Sequence, residues 1–263
     1  MADTTRWIDT FSEFAGKKIL VTGSSQGIGA AVASAFADCG ARVAVHYGRN
    51  KPKAEALVAQ IEAAGGEAVI VGGNLLDAGA GRALVNEAAE ALGGLDVVIH
   101  NAGDPLLRDS FEDMSDENEA RIIQLNQLSA FEIIRAAIPH VRKSDAGSII
   151  VTTSVSVRNG GSAGVSIYGA AKASLESIVR TLAIELIPDG VRINGVAPGY
   201  IDTDIHTGFS NEEERESYLV HVPMGRPGKA DDCVGTYLFF ASQKMSNYIT
   251  GVTLDVNGGM TLR

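Results

Sequence analysis

Lys18-Ile19-Leu20-Val21-Thr22-Gly23-Ser24-Ser25-Gln26-Gly27-Ile28-Gly29 is the stretch on which the fold turns. Its first residues, Lys18 to Thr22, are an apolar run too short for a helix and of strand length. After Gly29 the apolar residues recur with helical period over residues 28–39, and the run ends at Gly40. Between strand and helix stand Gly23, Gly27 and Gly29. Glycines there permit a tight turn, a close approach of backbone to ligand, and close seating of the helix start on the strand. The free N–H groups of a helix start attract an anion, so the junction is a candidate phosphate cradle.

Outward from this junction the same alternation continues. Strand patterns cover Arg42 to Tyr47, Glu67 to Gly72, Leu95 to His100, Ser148 to Thr153, Val191 to Ala197 and Thr253 to Val256, and helical patterns cover residues 52–63, 79–92, 116–142, 167–187 and 230–242. Strand alternating with helix predicts an α/β fold: a single-domain, doubly wound parallel sheet of the Rossmann kind, about seven strands with helices on both faces. No linker, repeat or low-complexity tract interrupts it. Residues 1–15 read as an N-terminal extension, either an amphipathic arm carrying Trp7, Phe11 and Phe14 or a disordered lead. Residues 16–263 read as one dinucleotide-binding and catalytic domain.

The net charge of −10 argues against a nucleic-acid partner, because neutralising phosphates needs a basic face. The lead has no apolar core of a signal peptide, and no stretch reaches the roughly 18 apolar residues of a membrane span, so the expectation is a cytoplasmic protein without a membrane partner. Cys39 and Cys233 are isolated, which predicts buried reduced thiols. His206 and His221 have no third ligand in regular spacing, so no metal is expected.

A dinucleotide site that takes NAD usually places an acid about 20 residues past the glycines, at the end of the second strand. Here that strand ends His46-Tyr47-Gly48-Arg49-Asn50-Lys51, with two cations and no acid. An arginine suits a 2′-phosphate through its planar fork, so Arg49 leans the cofactor towards NADP, with NAD possible. The alternative is that Arg49 and Lys51 are solvated loop charges. The chemistry points to Ser166-Ile167-Tyr168-Gly169-Ala170-Ala171-Lys172. On a helix Tyr168 and Lys172 are neighbours. A nearby cation favours phenolate and lowers the usual phenol pKa of about 10, which would let Tyr168 exchange a proton with an alcohol oxygen. Tyr47 and Lys51 have the same spacing, so context rather than spacing separates the two pairs.

The chain resembles the short-chain dehydrogenase/reductase family over nearly all of residues 16–259. The resemblance rests on Thr22-Gly23-x-x-x-Gly27-x-Gly29, Asn101-Ala102-Gly103, Asn126, Ser154, Tyr168-x-x-x-Lys172 and Pro198-Gly199-Tyr200-Ile201-Asp202-Thr203, in the family's order and approximate spacing. It implies that Tyr168 is the acid–base and that Ser154 hydrogen-bonds the substrate oxygen. Lys172 would hold the nicotinamide ribose and Asn126 would anchor a proton-relay water. The implied cofactor set is Gly23, Ser25, Gln26, Gly27, Ile28, Gly29, Tyr47, Arg49, Asn50, Asn74, Leu75, Asn101, Ala102, Gly103, Tyr168, Lys172, Pro198, Gly199, Ile201 and Thr203. A homotetramer is implied too.

Three positions depart from the family pattern. Gln26 stands where NADP-preferring members often have arginine, Asn74 where an aspartate usually touches the adenine, and Ser154 and Tyr168 are one residue further apart than is common. Ser156 is the competing serine. Gly160-Gly161-Ser162-Ala163-Gly164 spells a serine-hydrolase elbow, but that motif must join a strand directly to a helix, so a glycine-rich loop is expected instead. Residues 204–222 are expected to form a lid. The expected activity is hydride transfer between NADP and a ketone or secondary alcohol, similar to the 3-oxoacyl-carrier-protein reductase-like branch. The alternatives are an NAD-linked sugar or polyol dehydrogenase and a non-catalytic nucleotide-binding sensor or scaffold.

Overall fold

Seven strands build one parallel sheet in the order β3-β2-β1-β4-β5-β6-β7. The computed structural model describes residues 10–203 and 218–261. The strands are β1 (Lys18–Val21), β2 (Arg42–Tyr47), β3 (Glu67–Gly72), β4 (Val97–His100), β5 (Ser148–Thr152), β6 (Arg192–Pro198) and β7 (Thr253–Val256). The helices are α1 (Gly27–Asp38), α2 (Lys51–Ala63), α3 (Ala80–Leu92), α4 (Asp116–Ile123), α5 (Ser129–Val141), α6 (Ser166–Leu186) and α7 (Ala230–Ala241). The chain steps outward from β1 to β2 and β3, then returns to lay β4 on the other side of β1. That reversal opens a crevice above the carboxyl ends of β1 and β4, where open α/β sheets bind ligands.

The inner strands β1, β2, β4, β5 and β6 are buried on both faces, so they read as continuous apolar runs. Ile19, Val21, Val43 and Val45 face one apolar layer with Phe36, Leu57, Ile61, Tyr237 and Leu238 from α1, α2 and α7. Leu20, Ala44, Val98 and Ile149 face the other, with Leu84, Ile133, Leu175 and Val179 from α3, α5 and α6. Local signals set the helix ends. Asn50 caps α2 by accepting from Lys53 N at 3.3 Å, with Pro52 in the first turn, and Gly93 ends α3 in the left-handed region at φ 73°.

Two features differ from the pattern read along the sequence. The expected helix over 116–142 is interrupted: Gln124–Leu128 forms a π-helical turn between α4 and α5. Such insertions recur at functional sites, and this one carries Asn126. At the start of the described chain, Phe11 and Phe14 are buried, and Phe14 meets Phe36 edge-on at 5.0 Å between ring centroids. The Glu13 carboxylate accepts from Ser242 Oγ at 2.5 Å and Gln243 N at 3.0 Å, tying this piece to the end of α7.

Candidate active site

The crevice is a cleft of about 1000 Å³ running from the glycine loop to α6. At its floor the loops after β1 and β4 are laced together. Thr22 Oγ1 accepts from Asn101 N at 3.0 Å and Ala102 N at 3.1 Å, while Asn101 Nδ2 donates to Thr22 O at 3.0 Å and Gly23 O at 3.3 Å. The glycines are sterically required. A Cβ on Gly23 would meet Ala102 Cα at 2.9 Å, and one on Gly29 would meet Gly23 O at 2.5 Å and Asn101 Nδ2 at 2.6 Å. Gly23 and Gly27 also hold positive φ, 63° and 59°.

A residue not singled out from sequence orders this loop. His46, buried at the end of β2, accepts from Gly23 N through Nδ1 at 2.8 Å and, through Nε2, sits 2.9 Å from Gly73 O. These partners require the neutral ring with its proton on Nε2. Burial lowers its pKa, against the hydrogen bond to Gly73, which favours the charged form.

Further along, Arg49, Asn50, Asn74 and Leu75 line the cleft with Ser25, Gln26, Gly27 and Ile28. Gln26 Oε1 accepts from Lys53 Nζ at 2.8 Å, so a cation from α2 lies beside the position where the sequence has no arginine. Lys51 instead pairs with Glu55 at 3.4 Å on α2. Tyr47 corrects the sequence expectation. It is not part of the cleft wall, because alternation along β2 sends its ring to the opposite face, against Gly72. Gly29 does not line the cleft either; it seats α1 on the loop.

At the other end stand Ser154, Tyr168 and Lys172. Tyr168 enters on the first turn of α6, and Lys172 follows one turn later with its ammonium 5.8 Å from the Tyr168 ring centroid. Lys172 is 2% exposed and donates to Thr152 O at 2.9 Å. Burial drops its pKa to about 8. The expectation that the lysine draws the phenol below its usual value is reversed. Burial pushes Tyr168 up to about 12; the Ser154 hydroxyl works against that rise and the charge of Asp104 adds to it. Ser154 Oγ lies 2.5 Å from Ser156 Oγ, so the two serines form one hydroxyl pair rather than rivals.

Asn126 is fully buried behind the cleft. Its side chain accepts from Asp104 N at 3.0 Å and donates to Asp104 O at 2.8 Å and Ile122 O at 2.9 Å. Asn101, Ala102, Gly103, Pro198, Gly199, Ile201 and Thr203 complete the wall. The stretch expected as a lid, 204–222, lies outside the described residues except for its end, where Tyr218 packs on Tyr200 at 5.4 Å. The Gly160–Gly164 stretch is a loop after a one-turn helix at Ser156–Asn159, not a strand-to-helix elbow.

A family model described as enoyl-(acyl carrier protein) reductase matches residues 23–261. The 3-oxoacyl-[acyl-carrier-protein] reductase FabG of Staphylococcus aureus is 38% identical over 245 residues, covering 93% of this chain and 98% of that protein. The chain belongs to the short-chain dehydrogenase/reductase family. Among solved members, one from Burkholderia cenocepacia in complex with NADP superposes with a TM-score of 0.88 at 34% identity, covering 94% of this chain and 98% of that one. An NADH-dependent reductase, A1-R′, responsible for alginate metabolism, also gives 0.88 at 34% identity, covering 96% of this chain and 100% of that one. This short-chain dehydrogenase/reductase is accordingly an NAD(P)-dependent oxidoreductase acting between ketone and secondary alcohol. The residues fit the dinucleotide, since the cradle made by Gly23 and Gly27 is one that a Cβ would strain or fill.

In this short-chain dehydrogenase/reductase a buried ionic cluster that no sequence motif marks braces the start of α6. Arg158, on the one-turn helix at Ser156–Asn159, donates to Glu176 at 2.5 Å and to Asp255 at 3.1 Å. Glu176 lies one turn beyond Lys172 on α6 and Asp255 lies on β7, so the cluster ties three elements together. Burial opposes the Arg158 charge, but Glu176 and Asp255 outweigh it and its pKa is raised. Three charges scattered over nearly a hundred residues give no sequence signal. Among the described residues there is no group of three or more possible metal ligands, and no helix is long and apolar enough to cross a membrane.

Proposed function

We propose that Tyr168 is the acid–base of this enzyme, with Ser154 as hydrogen-bond donor to the substrate oxygen, Lys172 as its electrostatic partner and Asn126 as the anchor behind them. A bound nicotinamide supplies or accepts the hydride. In the reducing direction the Tyr168 phenol, held protonated at neutral pH, gives its proton to the carbonyl oxygen; in the oxidising direction the phenolate takes it back. Ser154 and Tyr168 together stabilise the charge growing on that oxygen. Lys172 is anchored on Thr152 O, which holds its ammonium beside the phenol. The observation that carries the reading is this convergence of Ser154, Tyr168 and Lys172 on one end of a cleft whose other end is a glycine cradle. Positioned acid–base groups contribute about 10²–10⁴-fold, so Tyr168→Phe is expected to lose turnover on that scale while still binding NAD(P)H. Full turnover in that variant would refute the assignment.

NADP is the preferred cofactor in this reading. Arg49 lines the cleft just past β2, Lys53 reaches Gln26 beside it, and no acid stands at the end of β2 to hold a ribose 2′-hydroxyl. Fluorescence titration with NADPH and, separately, NADH tests it. Tighter NADPH binding, weakened about 10- to 100-fold by Arg49→Ala with NADH little changed, is the expected result, since a hydrogen bond to a charged group is worth about 1.5–3 kcal/mol. Tighter NADH binding overturns the preference. The enzyme works in the cytoplasm as a homotetramer. Exposed Ile184, Ile187, Met245, Tyr248 and Leu254 beside the free edge at β7 support self-association.

A further inference from the structure

The loop after β4 is clamped at unusual cost. Leu106 is the one non-glycine residue with positive φ, 64°, among the described residues, and its N–H donates to Asp104 Oδ1 at 2.6 Å. Backbone strain of this kind is retained where surrounding structure enforces it, often at functional sites. The enforcement comes from the paired hydrogen bonds between the Asp104 backbone and the Asn126 amide. The clamp fixes the half-buried Asp104 carboxylate in the wall beside Tyr168 and leaves its second oxygen, Oδ2, with no protein donor among the described residues. Asn159 also lines the cleft; it is exposed, its side-chain oxygen accepts from Gly161 N at 2.9 Å, and its NH₂ group is open to solvent or to a bound molecule.

We propose that Asp104 selects the substrate: the site takes a ketone or secondary alcohol carrying a further hydroxyl beside the reacting carbon, of sugar or polyol type, and Asp104 accepts from that hydroxyl while Asn159 donates to the next oxygen. This rests on the placement of the reacting carbon at Tyr168 proposed above. A carboxylate oxygen half out of water needs a donor, and a substrate that only adds methylenes would bury it unpaired. A site built to hydrogen-bond a hydroxyl rejects the analogue lacking it far more strongly than an apolar pocket rejects a methylene.

The test compares acetoin with butanone, which share a carbon skeleton and differ by the hydroxyl. NADPH and NADH are used in turn with the full-length enzyme, and kcat/KM is measured for each ketone. The wild type is expected to favour acetoin by about a hundredfold or more. Asp104→Asn keeps the Oδ1 acceptor for Leu106 N–H, so the loop holds its shape, but it turns the open oxygen into a donor. It is expected to cut the acetoin-to-butanone ratio at least tenfold. A wild-type ratio near one, or a ratio unchanged in Asp104→Asn, overturns the inference, as does turnover of neither ketone. A weaker NAD(P)H dissociation constant with the ratio unchanged would assign the carboxylate to the cofactor and overturn it as well. Tyr168→Phe, assayed on whichever ketone is reduced, tests the acid–base reading separately.

Discussion

Replacing Arg158 with methionine removes the one buried cation that the Glu176 carboxylate meets in the cluster. The side chains of Arg158 and Glu176 are 5% and 4% exposed, and their contact is 2.5 Å. After the change Glu176 keeps, among the described residues, only Arg180 at 3.7 Å, on a side chain 63% exposed, and the Thr153 hydroxyl at 3.4 Å. A solvated partner of that kind is worth no more than about 1 kcal/mol. The loss therefore approaches the full penalty for an uncompensated buried charge, about 3–5 kcal/mol. For a chain of this size each kcal/mol moves Tm by about 2–4 °C, so thermal unfolding should shift down by about 6–20 °C. Glu176→Met should cost less, because Arg158 retains Asp255 at 3.1 Å. The double variant Arg158→Met, Glu176→Met should regain part of the loss, since the carboxylate then left without Arg158 is that of Asp255, which is 20% exposed rather than 4%. Circular-dichroism melts of the four proteins at one fixed concentration form a double-mutant cycle. A shift under 2 °C for Arg158→Met, or a double variant no better than the worse single one, would refute the reasoning.

Lys172→Met should be inactive yet more stable at neutral pH. The folded lysine has a pKa of about 8 against 10.5 unfolded, so the unfolded chain holds an extra proton between those values and wild-type stability rises with pH across that window. The gap is worth about 3 kcal/mol, and the variant's advantage should shrink accordingly in melts run from pH 8 to 10.5. His46→Leu leaves Gly23 N–H and Gly73 O without their partner. It should raise the NAD(P)H dissociation constant about tenfold in a fluorescence titration. Because the folded pKa of His46 is lowered, wild-type stability should also fall as pH drops below about 6.5, a loss absent from the leucine variant. In Gly103→Ala the new Cβ would lie 2.8 Å from Lys172 Nζ and 2.9 Å from Asn126 Oδ1. Displacing the lysine should lower kcat about a hundredfold in steady-state assays, with a smaller change in cofactor affinity.

Much of this protein's fold is legible in its sequence. Strand and helix announce themselves through local periodicity, and a parallel sheet buried on both faces makes that signal strong, so all seven strands fall within two residues of the sequence reading. The glycines at 23, 27 and 29 are legible for a related reason: their constraint is a short-range backbone one. What escaped depends on direction or on distance along the chain. Tyr47 and His46 are neighbours in sequence, yet strand alternation decides that the histidine serves the cofactor loop and the tyrosine does not. The π turn at Gln124–Leu128 hides inside a helical pattern because the residues on both sides keep the helical period.

The amino-acid sequence by itself determined the doubly wound sheet, the glycine turn after β1 and the helical run that carries Tyr168 and Lys172, because each is written in contiguous residues whose types suffice. Only the tertiary structure decided that Tyr168 sits high in pKa and Lys172 low, that Asn126 is buried as a clamp on Asp104, and that Arg158, Glu176 and Asp255 meet. Burial and charge pairing are properties of what surrounds a residue in space, and those surroundings are assembled from segments far apart in the chain.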